Sequence, residues 1–382
     1  MSTIHWLGTG LSSIPGLKSL IKNNHNVIVW NRSRQKAIKL LEDISGNYTV
    51  KTLVLSDLKR FVNDDDIVVS MLPSSMHVKV ANLCLNCNAH FVSSSYLSKE
   101  MLALDEQAER LGLCFINEVG LDPGLDHIFG KLLISEFKQA GLESKENSYF
   151  FKSYCGGFPK NKNDFCYKFS WSPLGVLKAL KATTKYLQDG VLQESKQPYK
   201  EIHSYSPVSK FTNEAFEAYG NRNSLDYIKD YDIPDDWQLQ QFIRGTLRLS
   251  GWSKAWRDVF SIVENSINTG SDLALETLSE ELKEKYTYSQ DENDRVVLSV
   301  ELKVVKQAKT IWHKSYFIDA TGAINASAMS RLVSLPVSFA VESVLSGDIS
   351  AGVSGAPDAL AHDWINKLEL AGEKVEYIDV LA

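Results

Sequence analysis

Short β-rich runs alternate with helical patterns from the amino terminus to residue 119, and this alternation restricts the fold more than any other feature of the chain. Runs over 3–7, 26–30, 67–72 and 90–93 are each followed by a helical pattern, over 15–23, 33–43, 75–85 and 99–111, and a last run covers 113–119. Strand, crossover and strand at this spacing predict a doubly wound parallel sheet with right-handed connections. Such sheets bind ligands at the carboxyl ends of their strands.

Beyond residue 126 the texture changes. The runs 149–155, 166–171, 201–205, 243–250 and 296–305 read as strands of an antiparallel or mixed sheet, with one helix over 173–187. Helical patterns over 252–267 and 271–286, separated by Asn268, Thr269 and Gly270, read as a small insertion. The polar stretch 289–295 reads as a solvated loop, and 327–346 as a long helix broken at Pro336. The predicted class is α/β, a Rossmann-like doubly wound parallel sheet plus an α/β mixed-sheet substrate domain with a short helical insert. A dinucleotide-binding domain is expected over 1–124 and 325–382, a substrate domain over 125–250 and 289–324, and the insert over 251–288.

Size and charge narrow the function. A chain of 382 residues with 44% apolar content buries sizeable cores. Its net charge of −6 comes without a basic block, so no nucleic acid or anionic membrane is expected as partner. No stretch reads as the ~18 uncharged apolar residues of a membrane span, and no signal peptide is read at the start, so a cytoplasmic address is expected. The five cysteines are an odd number, which argues for reduced thiols. Cys84 and Cys87 form a C-x-x-C late in a helical pattern without a second pair, and no metal site is predicted.

Gly8-Thr9-Gly10 follows the first strand at once, and Pro15 opens the next helix. A turn without side chains lets backbone amides approach a pyrophosphate, and the helix amino end adds partial positive charge. Ser13 stands where a third glycine would complete the dinucleotide fingerprint. After the second strand comes Asn31-Arg32-Ser33. A 2′-phosphate requires the usual carboxylate to be absent there and a cation to be present, so NADP is favoured over NAD.

The densest cue is NEVGLDPGLDH, Asn117 to His127. A buried strand ends in Gly120, Asp122, Pro123 and Gly124, and a helical pattern runs over 125–137, so Asp122 is placed at a strand's carboxyl end. Asp126 and His127 fall at the helix start, where Asp126 complements the helix dipole. His77, shortly after Pro73, is read as a hydrogen-bonding residue at a helix start.

Taken together, GTGLSSIP, HFVSSSYLS, NEVGLDPGLDH, KSYCGGFP, YKFSWSPLGVLKAL, YGNRNS and IRGTLR resemble, in order, the blocks of the saccharopine reductases, the NADP-dependent, glutamate-forming saccharopine dehydrogenases. Beside Gly8, Gly10 and Leu11 in the glycine turn and Asn31, Arg32 and Ser33 at the adenosine end, the resemblance implies NADP contacts from Leu72, Ser94, Ser95, Leu121, Asp122, Pro123 and Ser172. It implies saccharopine contacts from Ser95, Tyr96, Asp122, Arg222, Thr246, Leu247 and Arg248. A homodimer is compatible with it. The insert over 251–286 is shorter than the pattern of the fungal members.

Saccharopine carries three carboxylates around a secondary amine, and guanidinium forks suit carboxylates. Arg244 lies four residues before Arg248 and so on the same face of a strand. A shared anion pocket and a structural ion pair are both open for Arg244. Asp122, Tyr96 and Cys155 are the expected catalytic groups, Asp122 orienting the amine or stabilising an iminium, Tyr96 or Cys155 relaying a proton. The alternatives are a carboxynorspermidine-type dehydrogenase, against which the arginine blocks speak, and a dinucleotide-binding protein without turnover.

Overall fold

The computed structural model describes residues 2–210, 212–289, 291–323 and 326–382. The strands in chain order are β1 (Ile4–Leu7), β2 (Val27–Asn31), β3 (Tyr48–Thr52), β4 (Ile67–Ser70), β5 (His90–Val92), β6 (Cys114–Ile116), β7 (Asn147–Pro159), β8 (Thr184–Gln188), β9 (Val191–Ser195), β10 (His203–Tyr205), β11 (Phe216–Gly220), β12 (Gln238–Arg248), β13 (Asp294–Lys306), β14 (Lys309–Thr321), β15 (Gly352–Ser354) and β16 (Glu376–Asp379). Two compact units divide the chain, Met1–Ile128 with Ser330–Ala371, and Phe129–Met329 with Gly372–Ala382.

The first unit holds a wholly parallel sheet in the order β15-β6-β5-β4-β1-β2-β3. Strand order reverses between β1 and β4, and β1 and β4 are buried throughout, as strands covered on both faces must be. The edge strand β3 was not among the expected elements. Its residues are all half-buried or exposed and mostly polar, so no apolar run marks it. Helix Ile14–Lys22 packs at Gly16, whose amide donates to Ser334 Oγ at 2.8 Å. A Cβ at Gly16 would stand 1.9 Å from the Ser334 carbonyl oxygen.

The second unit is built on a mixed sheet, β10-β11-β12-β7-β13-β14-β16, in which β12 and β7 are parallel and the other neighbours antiparallel. The last strand, β16, pairs with β14, so the carboxy-terminal residues belong to this sheet. Helices Trp252–Ala255, Arg257–Thr269 and Leu273–Tyr286 form the insert, and its buried Trp252 and Trp256 join the aromatic core of the unit. Trp252 stacks on Tyr219, and Trp256 Nε1 donates to the Phe165 carbonyl at 3.0 Å.

Several expectations are corrected. The helix expected over 173–187 ends at Ala179, and the chain turns back as the hairpin β8–β9. No strand forms over 166–171; only Phe169 bridges to Thr287, and the apolar residues of the run, Tyr167 and Phe169, are spent on core packing. Helix Ala328–Leu345 is not broken at Pro336 but continues through it, since tertiary burial offsets one lost backbone bond. The same helix is long and apolar enough to cross a membrane by length and composition, yet 72% of it is buried in the protein, as a core helix is. Of the loop expected over 289–295, Gln290 lies outside the described residues, and Asp294 and Arg295 already belong to β13.

Candidate functional site

The turn after β1 is a backbone cradle. Gly8 has φ +97° and lies so close to the end of β4 that a Cβ would stand 2.9 Å from the Met71 carbonyl oxygen and 3.3 Å from Leu72 Cδ2. Gly8 and Leu72 are thereby brought together. Gly10 and the exposed Leu11 face open space. Ser13 replaces the third glycine with a brace: its hydroxyl donates to the Gly8 carbonyl and accepts from Trp6 Nε1, both at 2.8 Å. Neither Trp6 nor Ser13 was among the candidates, and only an apolar strand residue before the glycine pair hinted at Trp6.

At the end of β2, Asn31 ties two turns together. Its Oδ1 accepts from the Thr9 amide at 3.3 Å and its Nδ2 donates to the Ser33 carbonyl at 2.8 Å. Ser33 caps helix Arg34–Leu40 by accepting from the Lys36 amide. Asn31 and Ser33 thus shape the turn, while the exposed Arg32 is presented from it. These residues fit a dinucleotide with a 2′-phosphate. The glycine at position 8 leaves the space a Cβ would fill, the Thr9 hydroxyl is buried with no hydrogen-bond partner, and a cation stands where a carboxylate would repel the phosphate.

Asp122 sits in a turn closed by the Gly120 amide donating to the Pro123 carbonyl at 2.9 Å, and the following helix starts with the Leu125 amide donating to the Gly120 carbonyl at 3.0 Å. Gly124 has φ +146°, and a Cβ there would stand 2.1 Å from the Gly120 oxygen. Asp126 Oδ1 accepts from the Gly124 amide at 2.8 Å, a helix-start role for that acid. Within this frame Tyr96 Oη donates to Asp122 Oδ1 at 2.8 Å, and both side chains are half-buried. Leu121 and Pro123 are buried on either side, and Ser94 lies against Gly120.

Glu118 joins the two segments. It adopts φ +55°, its amide donates to the Ser95 carbonyl at 3.1 Å, and its buried carboxylate accepts from the Leu97 amide at 3.0 Å. Ser95 is held further by His77, whose Nε2 lies 2.8 Å from its hydroxyl. Sequence reading missed Glu118, whose place inside the aspartate block was its only signal.

The second unit holds Arg222, Arg244 and Arg248, the arginines singled out in the sequence beside Arg32. Arg248, at the end of β12 and 6% exposed, lies over Tyr167, Trp252 and Tyr219 with ring centres 5.1, 5.2 and 5.6 Å away. Its Nη1 donates to the Leu247 carbonyl at 3.1 Å, and its Nε has no hydrogen-bond partner. Arg244, 1% exposed, lies over Tyr227 at 4.4 Å, so the two guanidinium groups rest on different aromatic rings. Cys155, buried on β7, is in register with Thr246 of β12. Arg222 is exposed just after β11, with φ +54°. Ser172 is exposed as well and caps helix Pro173–Ala179, accepting from the Gly175 amide at 3.1 Å.

A parallel sheet whose strand order reverses between β1 and β4, with a glycine cradle, an arginine after β2 and a Tyr–Asp pair at its carboxyl edge, defines, with the matching NADP binding domain, an NADP-dependent oxidoreductase. Residues 4–116 match the saccharopine dehydrogenase NADP binding domain and residues 120–372 the saccharopine dehydrogenase C-terminal domain. The chain belongs to the saccharopine dehydrogenase family. It is 29% identical over 416 aligned residues to a saccharopine dehydrogenase [NADP(+), L-glutamate-forming] of Pyricularia oryzae, covering 90% of this chain and 91% of that protein. A mitochondrial alpha-aminoadipic semialdehyde synthase of Bos taurus is 26% identical over 90% of this chain, which spans only 44% of that longer protein. The apo saccharopine dehydrogenase (L-Glu forming) of Saccharomyces cerevisiae superposes with a TM-score of 0.81 at 25% identity, over 100% of both chains.

Proposed function

We propose that the chain interconverts L-glutamate, L-2-aminoadipate 6-semialdehyde and NADPH with L-saccharopine, NADP+ and water, by imine formation and hydride transfer. The observation that carries the reading is the hydrogen bond from Tyr96 to Asp122 at the carboxyl edge of the parallel sheet, in a chain of this family. The cofactor residues are Gly8, Gly10, Leu11, Asn31, Arg32, Ser33, Leu72, Ser94, Ser95, Leu121, Asp122, Pro123 and Ser172. NADPH held by them supplies the hydride.

The chain's own groups bind, orient and move protons. Arg222, Thr246, Leu247 and Arg248 bind substrate carboxylates, and the Arg248 Nε is available for a carboxylate oxygen. Ser95, Tyr96 and Asp122 border the amine. The carboxylate of Asp122 orients it and stabilises the positive charge of the iminium, while the Tyr96 hydroxyl, hydrogen-bonded to that carboxylate, relays a proton from the ammonium nitrogen of the amine–aldehyde adduct to its hydroxyl, which leaves as water as the C=N bond forms. Cys155 is the second proton-relay group of this reading. Much of the acceleration comes from orientation, which is worth up to ~7–11 kcal/mol when reacting atoms are held in place.

The test is to mix the purified protein with saccharopine and NADP+ and follow the absorbance of the reduced nicotinamide while identifying glutamate as product. Reduction of NADP+ with stoichiometric glutamate supports the proposal; no reduction with either NADP+ or NAD+ defeats it.

A further inference from the structure

His77 opens helix His77–Asn86, which follows β4 after the short turn Ser74–Met76, and its ring joins the end of β4 to the segment after the neighbouring β5. Nδ1 lies 2.9 Å from the hydroxyl of Ser70, the last residue of β4, and Nε2 lies 2.8 Å from the Ser95 hydroxyl, with the Ser93 hydroxyl at 3.4 Å. Ser93 Oγ in turn accepts from the Ser95 amide at 3.1 Å. With the Glu118 amide on the Ser95 carbonyl, every polar atom of Ser95 is engaged, and its hydroxyl is engaged by His77.

A neutral imidazole has one donor and one acceptor nitrogen, so the proton direction at Ser95 is coupled to that at Ser70. Burial penalises the charged ring and lowers its pKa to about 4, so the ring is neutral and this coupling holds through the ordinary pH range. Phe91 packs edge-on at 6.1 Å and helps keep the ring in place. A histidine needed only to start the helix would have no use for a second partner in another strand's loop.

We infer that His77 is a positioning residue for the nicotinamide end of the cofactor, fixing the rotamer and proton direction of the Ser95 hydroxyl that faces it. The inference rests on the place given to Ser95 in the proposed function. Ser95 then offers the cofactor amide one set lone pair or proton rather than a freely rotating hydroxyl. The residue acts through Ser95 and does not itself touch reacting atoms.

Glutamine and asparagine separate this role from a packing role. The His77→Gln amide reaches the position of Nε2 and keeps the bond to Ser95, whereas the His77→Asn amide reaches only the position of Nδ1 and keeps the bond to Ser70. Calorimetric titration of each variant with NADP+, in the absence of substrate, is expected to show binding within about threefold of wild type for His77→Gln and a loss of about tenfold for His77→Asn, the worth of one hydrogen bond. Ser95→Ala should lose as much as His77→Asn, and the double variant no more than either alone, with kcat for saccharopine following the same order. Equal binding by His77→Gln and His77→Asn, or losses that multiply in the double variant, overturns the inference. If Ser95→Ala binds NADP+ like wild type, the place given to Ser95 fails first, and the role of His77 fails with it. Thermal unfolding of the variants identifies any that lose binding by unfolding; for those, the Ser95→Ala and Ser70→Ala pair supplies the comparison, and loss on Ser70→Ala but not on Ser95→Ala also overturns it.

Discussion

Tyr96 and Asp122, 26 residues apart in the chain, meet in a hydrogen bond of 2.8 Å from the phenol to the carboxylate. A phenol bonded to a carboxylate is both an orienting group and a route for a proton. Replacing either partner removes a charge-assisted bond worth about 1.5–3 kcal/mol. Tyr96→Phe and Asp122→Asn are each expected to lower kcat/KM for saccharopine by about 10- to 150-fold, and steady-state kinetics should show the double variant to be much less impaired than the product of the two.

Arg32 reads the 2′-phosphate in this account, since the side chains of Asn31 and Ser33 are turned to the backbone. Arg32→Ala should weaken NADP+ by about 10- to 100-fold, as loss of a charge-assisted contact does, with NAD+ changed by far less. Equal weakening of both in a binding titration would remove Arg32 from that role.

Arg248 is a buried cation resting on aromatic faces with one nitrogen left over. Arg248→Lys keeps the charge but loses the fork, so the KM for saccharopine should rise at least about tenfold, the order of a lost charge-assisted bond, with a smaller change in kcat. Unchanged kinetics would place the carboxylate elsewhere.

Acid should destabilise the protein through His77. Its folded pKa, about 4, lies below the unfolded value near 6.5. The unfolded state therefore takes up a proton as pH falls below about 6.5 while the folded state does not until about pH 4, so the contribution is fully present above that window and is lost across it. The loss amounts to about 3 kcal/mol. Urea unfolding at several pH values should show a shallower decline for His77→Gln than for wild type, even though His5, His90 and His203 are lowered by burial too and remain in both.

Gly16 is fixed by contact. With a Cβ only 1.9 Å from the Ser334 oxygen, Gly16→Ala must push helix Ile14–Lys22 away from its neighbour and stretch the Gly16 to Ser334 bond. A destabilisation of about 1–3 kcal/mol is expected from such overpacking, measured as a lower urea midpoint; no change would mean that the two helices separate freely.

What was legible followed physical visibility. Buried central strands such as β1 and β4 show as apolar runs, and the turn around Asp122 shows through Gly, Asp and Pro. The hairpin β8–β9 carries a local signal, since Asp189 and Gly190 sit at φ +52° and +70° in its turn, the Asp-Gly pattern of a tight hairpin, but the apolar spacing before it extends the helical pattern into β8. The turn between β13 and β14 had none, because Gln307 and Ala308 take φ +49° and +63°, which those residue types do not advertise. The contact of His77 with Ser95 depends on β4 and β5 being neighbours and on a loop conformation that Glu118 holds, so no spacing along the chain reveals it.

The most direct measurement of the central claim is the fate of the hydride. The protein is supplied with glutamate, 2-aminoadipate 6-semialdehyde and NADPH dideuterated at C4, and the product is analysed by mass spectrometry. The account predicts saccharopine carrying one deuterium on the carbon that was the aldehyde; saccharopine formed without deuterium there, or no saccharopine at all, would contradict it.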